Sequence, residues 1–230
     1  EIKTQGSPQD DAIYSWMTAN IKEEPLILTV PAIKDRYFSV AITDTYMENV
    51  DYICSRLGHK NGGSWALVGP NWKGTLPKNV KMIRMPCNIF GFLIRIQARD
   101  PEIDIKKAVA YQKNLKAESL SKFLGKIKED KMQLMEVPPN TDAALDWYNY
   151  MLKIMKDNPP LAKDAAFTQT MKLIGLEPGV ITDTKTLSEP IKKGLERGFE
   201  MGKSAVKYYM VKGPEKAGNT NWNISYERGR

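Results

Sequence analysis

Between Tyr37 and Thr43 the chain alternates: Phe38, Val40 and Ile42 are purely apolar, and Tyr37, Ser39, Ala41 and Thr43 fall between them. A period of two puts the apolar set on one face of a β-strand, the face that packs into a core. Runs of this kind, rich in β-branched and aromatic residues and punctuated by Gly, Pro and Asn, fill the stretch from Arg36 to Arg95 around which the chain is organised. Ahead of it, Leu26-Ile27-Leu28-Thr29-Val30 is a short strand closed by Pro31, which cannot continue a central ladder. Lys60-Asn61-Gly62-Gly63 supplies the turn of a hairpin between Cys54 and Val68. Gly69-Pro70-Asn71-Trp72-Lys73-Gly74 makes a tight loop with a tryptophan at its tip, and Val80–Arg84 and Ile89–Ile96 are two further strands.

Beyond Asp100-Pro101 the apolar spacing changes to three and four. Asp104 is placed to cap a helix through Tyr111, its side chain accepting from an orphan N–H of the first turn. Residues 116–138 are lysine-rich, with Leu120, Phe123, Leu124 and Ile127 on one helical stripe. Thr141 or Asp142 then caps a strongly amphipathic helix in which Ala144, Trp147, Tyr148, Met151, Leu152 and Met155 share a face. A shorter helix from Lys163 to Ile174 stops at Gly175, a left-handed C-terminal cap. The last helix runs from Ser188 to about Val211 and carries Gly194, Gly198 and Gly202 at intervals of four. Each of these costs about 1 kcal/mol relative to Ala, so close approach of a neighbouring helix or sheet is expected in return. The expected fold class is α+β, an antiparallel β-rich N-terminal half followed by an α-helical C-terminal half. The boundaries are 8–98 for the β-rich subdomain and 99–212 for the helical one, with 213–230 starting a further strand or domain.

A hydrophobic content of 42% over 230 residues is ample for a buried core. The net charge of +7 raises nucleic acid as a partner, but the lysines are interleaved with acidic residues, as in KKAVAYQKNLKAESLSKFLGKIKEDK. That is the pattern of a solvated helix face, so nucleic acid is not expected. Apolar runs fall short of the roughly 20 residues of a membrane span, and the opening EIKTQGSPQDD has neither the basic nor the apolar region of a signal peptide. Cys54 and Cys87 lie in different strands, either to pair across a sheet or to sit as two small buried hydrophobes. Their spacing matches no zinc pattern and His59 is the single histidine, expected as an exposed loop residue. No metal and no cofactor are therefore expected.

Candidate chemistry gathers in the β-rich half. Asp10, Asp11 and Asp44, with Tyr14, are the candidates for acid–base work, since paired carboxylates can divide the roles of acid and base. Asp10 and Asp11 are equally suited to turning the backbone before Tyr14. Arg36, Arg56 and Arg95 lie in or beside apolar strands, where a guanidinium must find carboxylates or carbonyls. A buried bridge from one of these arginines to Asp44 is the structural expectation, and binding of an anion or sugar acid the functional one. Trp65 and Trp72, with Tyr46 and Tyr52, form either an aromatic platform for a saccharide ring or core filling. No Gly-x-Ser-x-Gly elbow or phosphate-binding loop is present.

The segments Asp35-Arg36-Tyr37-Phe38, Asp44 with Tyr46, Ser55-Arg56, Val68-Gly69-Pro70-Asn71-Trp72-Lys73-Gly74 with Pro77, and Pro86 followed by Arg95 resemble the family of domains of unknown function numbered 1254. The helical half fits through Asn158-Pro159-Pro160, Asp164 and Gly175 with Pro178-Gly179. Where the family reads Pro-Asn-Arg-Asp-Thr-Leu-Tyr-Ser, this chain has Pro8-Gln9-Asp10-Asp11-Ala12-Ile13-Tyr14-Ser15, keeping Asp11, Tyr14 and Ser15. Family members commonly extend at both ends, with a following domain numbered 1214, so the resemblance implies a middle portion of such a protein. It also implies an extracytoplasmic, envelope or particle location. The functional expectation is a non-catalytic binding or structural component whose partners are other protein subunits or domains, with a saccharide or anionic ligand at Arg36, Tyr46, Arg56, Trp72 and Arg95. The alternative is a hydrolase or lyase on a carbohydrate-like substrate, using Asp11, Tyr14 and Asp44.

Overall fold

The computed structural model describes residues 11–100, 103–130, 132–134, 142–180, 183–212, 215–216 and 223–224. It is an α+β protein whose chain divides into two compact units, Glu1–Met135 and Glu136–Arg230.

The first unit packs two sheets face to face. Its elements are β1 (Ala12–Asn20), β2 (Leu26–Val30), β3 (Phe38–Asp44), β4 (Asn49–Cys54), β5 (Gly63–Val68), β6 (Val80–Arg84) and β7 (Ile89–Gln97), followed by α1 (Asp104–Lys113), β8 (Lys116–Ser119), α2 (Leu120–Phe123) and β9 (Gln133–Leu134). The first sheet has the order β4-β3-β7-β1-β9 and is antiparallel throughout. The second has the order β6-β5-β2-β8, with β5 and β6 parallel and the other pairs antiparallel. Phe38, Val40 and Ile42 of β3 and Phe92, Ile94 and Ile96 of β7 meet Leu26, Leu28, Val30, Trp65 and Leu67 of the second sheet in one core. The alternation read from Tyr37 to Thr43 thus selects the buried face.

The second sheet is covered on its other side too. Ile27, Ala66, Val68 and Val80 point away from the main core and are roofed by Trp72, Leu76, Leu120 and Phe123. Burial on both faces explains why β2 is a continuous apolar run rather than an alternating one. The loop from Gly69 to Gly74 belongs to the crossover that parallel β5 and β6 require. Arg84 fixes it, Nη1 donating to the carbonyls of Gly69, Pro70 and Trp72 at 3.0, 3.1 and 3.1 Å. Gly74 is glycine for lack of space: a Cβ there would lie 2.3 Å from the Trp72 indole.

Three local expectations are corrected here, and one open alternative is decided. Lys116–Ser119 is a strand and not part of a helical stripe, because β2 offers unpaired backbone groups that β8 satisfies, Leu26 opposite Ser119. Only Leu120–Phe123 coils, with Ser119 Oγ accepting the Lys122 N–H at its start. Asp104 is the first residue of α1 rather than its cap, and its carboxylate accepts the Arg99 N–H at 2.7 Å. His59 is half-buried, its ring edge-on to Trp65 at 5.2 Å and its Nδ1 accepting from the Cys54 N–H at 3.3 Å. Burial, with Lys81 nearby, pulls its pKa down, in keeping with a neutral ring. Cys54 and Cys87 are separate buried thiols, and the Cys87 Sγ donates to the Ile89 carbonyl.

The second unit holds α3 (Ala144–Asp157), α4 (Ala165–Leu173), α5 (Glu189–Lys212), and the short strands β10 (Glu215–Lys216) and β11 (Asn223–Ile224), which pair antiparallel. Leu152, Met155, Met171, Leu176 and Leu195 form its core, with Tyr148 and Met151 against them, so the apolar stripe of α3 is the packed one. Ala143 occupies the N-cap position of α3 without a side-chain bond, and Thr141 lies outside the described residues. Gly175 closes α4 at φ 80°, with the Leu176 N–H returning to the Met171 carbonyl at 3.0 Å.

The glycines of α5 are not explained by close approach. Among the described residues, a Cβ at Gly194 or Gly202 would meet nothing within 4 Å, and one at Gly198 only the Tyr148 hydroxyl at 3.7 Å. Gly194→Ala and Gly202→Ala are therefore expected to stabilise the protein by up to about 1 kcal/mol each. In thermal unfolding that is a rise of about 2–4 °C per substitution, and a fall in melting temperature would show that this face is occupied in solution. Among the described residues, no helix is long and apolar enough to cross a membrane.

Candidate functional site

Two segments that carry the family resemblance, Asp35–Phe38 and Ser55-Arg56, come together at one end of the first sheet. They frame an open groove of about 490 Å³ walled by Lys34, Arg36, Tyr37, Arg56, Lys60 and Gln97. Local structure explains each placement. The Ser55 Oγ accepts from the Phe38 N–H at 3.2 Å and donates to the Phe38 carbonyl, pinning the 3-10 turn Ser55–Leu57 that carries Arg56. A second 3-10 turn, His59–Asn61, is tied down where the Lys60 carbonyl accepts the Ile33 N–H at 2.9 Å. Gly62 allows this contact: at φ 70°, a Cβ there would lie 2.5 Å from the Val30 carbonyl oxygen.

Arg36 is held tightly. Its Nη2 bonds Asp104 Oδ1 at 2.7 Å and Asp35 Oδ2 at 3.1 Å, its Nη1 donates to the Gln97 carbonyl at 3.0 Å, and its guanidinium lies 5.7 Å from the centre of the Tyr111 ring. The Tyr111 hydroxyl donates to the second oxygen of Asp35 at 2.9 Å. The Arg36 side chain is only 7% exposed, yet its Nε has no hydrogen-bond partner. Arg36 holds the Asp35 carboxyl below its ordinary value, and the carboxylate in turn pushes the Tyr111 phenol up. The expected bridge to Asp44 is corrected: Arg36 precedes Phe38, at the opposite end of β3 from Asp44, roughly 20 Å away at a strand's rise.

Asp44 has a different task. Buried at the end of β3, its Oδ1 accepts the N–H groups of Tyr46 and Glu48 at 2.8 and 2.9 Å and shapes a turn in which Met47 takes φ 64°. Tyr46 sits in that turn, half-buried, and Trp72 lies in the crossover loop over the second sheet. Trp65 is in the main core. Arg95 and Tyr14 are brought together, directly opposite on β7 and β1, with the guanidinium 5.6 Å from the Tyr14 ring. Asp11 is exposed at the start of β1, where its carbonyl accepts the Ala98 N–H, and Asp10 lies outside the described residues. Lys34, Asp35, Lys60 and Asp104 were not among the site residues expected from the sequence. The Asp35-Arg36 dipeptide was the available signal, whereas Asp104 had read as a helix cap.

Charge in the groove is unbalanced. Arg36 is matched by two carboxylates, but Lys34, Arg56 and Lys60 have no carboxylate partner among the described residues. Nor, among those residues, does any cluster of three or more His, Cys, Asp or Glu offer a metal site. The arrangement can attract and orient an anion.

The sequence pattern of the family described as "Protein of unknown function (DUF1254)" matches residues 3–119, slightly more than half of the chain. The chain belongs to this family. The groove and both motif segments framing it fall inside the matched part. Among solved structures, the crystal structure of the VPA0106 protein from Vibrio parahaemolyticus superimposes with a TM-score of 0.71 at 22% identity, over 92% of this chain and 52% of that one. At that identity the likeness establishes the DUF1254 chain's fold and nothing more, and the chain spans about half the length of that relative. No curated protein matches it.

Proposed function

We propose that this DUF1254 protein is a non-catalytic binding module, a component of a larger assembly, which takes an anionic ligand in the groove between Arg36 and Arg56. The observation that carries this reading is the set of three cations, Lys34, Arg56 and Lys60, without a carboxylate partner among the described residues, around an arginine already fixed by two carboxylates. A prepositioned cationic site of this kind attracts anions without having to reorganise. A hydrolase or lyase would need Asp11, Tyr14 and Asp44 around one substrate, and β3 carries Asp44 to the far end of the sheet, its Oδ1 engaged by two backbone N–H groups.

The test is thermal unfolding with inorganic phosphate, galacturonate and neutral glucose. A ligand at 100 times its Kd adds about 2.7 kcal/mol of stability by mass action. Galacturonate or phosphate should raise the melting temperature, glucose should not, and the rise should vanish in Arg56→Ala/Lys60→Ala, whose side chains are exposed. The absence of any anion-dependent rise would remove the reading. Release of reducing ends from an acidic polysaccharide would favour the hydrolase instead.

A further inference from the structure

The groove opens onto the outward face of the first sheet. Ile13 and Met17 of β1, Phe92, Ile94 and Ile96 of β7, and Phe38, Val40 and Ile42 of β3 face the core. The pleat therefore turns Tyr14, Trp16, Leu93, Arg95, Gln97, Ser39 and Ala41 the other way. Strand register lines these residues up in rows. Tyr52, Ala41, Leu93 and Trp16 stand opposite one another across β4, β3, β7 and β1. Ser39, Arg95 and Tyr14 form the next row, about 7 Å closer to the groove. Gln97 and Tyr37 follow, both already walls of the groove.

Its aromatic rings reach solvent: Tyr14 is 38% exposed, Trp16 56%, Tyr37 48% and Tyr52 40%, while the small Ser39 and Ala41 between them are buried. Four large rings left in water on one sheet face are costly unless something covers them. The one charged side chain in the rows, Arg95, lies over the Tyr14 ring.

We propose that the groove and this sheet face form one continuous surface that binds an acidic oligosaccharide, with the exposed rings of Trp16 and Tyr52 against sugar rings and Arg56, Lys60 and Arg95 at their carboxylates. The proposal rests on the groove being a binding site and names its ligand class. Aromatic faces, electron-rich at their centres, suit the C–H faces of sugar rings, and guanidinium forks suit carboxylates. The cations without a carboxylate partner among the described residues make the surface complementary to an acid rather than to a neutral glycan. Single-stranded nucleic acid also stacks on aromatic platforms, but the lysines of this chain are interleaved with acidic residues rather than gathered into a stripe that would track a phosphate backbone.

Calorimetric titration of the full chain with galacturonate, hexagalacturonate, neutral cellohexaose and oligo-dT tests this. Hexagalacturonate should bind at least about tenfold more tightly than the monomer, a difference of about 1.4 kcal/mol. Trp16→Ala should weaken the hexamer about tenfold and leave the monomer unchanged, whereas Arg56→Ala should weaken both. Tyr52→Ala gives a second, independent removal of a ring from the same row, and unchanged melting temperatures confirm that each variant is folded. If neither ring matters for the hexamer while Arg56→Ala still abolishes monomer binding, the extended surface is overturned and the groove stands. Binding of neither uronate overturns both readings. Equal binding of cellohexaose overturns the acidic specificity, and tighter binding of oligo-dT overturns the saccharide in favour of nucleic acid.

Discussion

Arg36→Met should destabilise the protein by about 2–3 kcal/mol at pH 7, and the deficit should shrink as the solution is acidified. The arginine joins three elements: the start of β3, the end of β7 through the Gln97 carbonyl, and the start of α1 through Asp104. Removing one member of a buried ion pair costs about 3–5 kcal/mol. Asp35 and Asp104 both reach solvent and can be rehydrated, which places the expected loss below that range. Methionine keeps much of the aliphatic stem, so the effect reports the guanidinium rather than a cavity.

The acid dependence follows from the two carboxylates. Asp35 is held below the ordinary value of 3.8 chiefly by Arg36. Asp104 is held below it by the Arg99 N–H first and by Arg36 next. The folded state therefore binds fewer protons than the unfolded chain between those depressed values and 3.8. The corresponding stability is complete above about pH 5 and is lost as pH falls through the folded-state values. The substitution removes the share due to Arg36, so urea unfolding at pH 7 and at pH 3 should show the two proteins converging in acid. A difference that stays constant across that range would mean that these carboxylates do not titrate against Arg36.

Asp44→Ala is expected to cost about 2–3 kcal/mol, a fall of about 5–10 °C in melting temperature. Two charge-assisted bonds from backbone N–H groups end on Oδ1 at 2.8 and 2.9 Å, and such bonds contribute about 1.5–3 kcal/mol each. Water recovers part of this because Tyr46 and Glu48 are half-buried rather than sealed. Without the carboxylate, Met47 keeps its N–H bond to the Asp44 carbonyl at 3.1 Å but loses the flanking anchors that help to hold it at φ 64°, a conformation that non-glycine residues adopt at a cost. Asp44→Asn keeps an oxygen in place and should restore more than half of the loss. Hydrogen exchange at the Tyr46 and Glu48 amides should quicken in Asp44→Ala. Unchanged stability with altered ligand binding would instead assign Asp44 to a site.

Local periodicity was legible because it depends only on how successive side chains project from a strand or helix. The alternation at Phe38, Val40 and Ile42 marked the core face of β3, the stripe at Tyr148, Met151, Leu152 and Met155 marked the packed face of α3, and Gly175 marked the end of α4. The expectation of an α+β fold followed from those periods alone. Arg36 and Arg56 were recognisable as cations beside apolar strands, which requires no knowledge of what lies across from them.

Which groups meet was decided by the tertiary structure. Lys116–Ser119 has the composition of a helix surface, and it is a strand only because β2 has an edge to fill. Arg36 pairs with Asp104, distant in sequence, rather than with Asp44 of its own strand, because the antiparallel register sets Phe38 against Ile96 and Asp44 against Phe90. The groove collects residues from 34 to 37, 55 to 60 and 97, and the aromatic rows take one residue each from strands far apart in the chain. Such meetings depend on strand order and register, which are set by the combined burial of many side chains rather than by any single stretch.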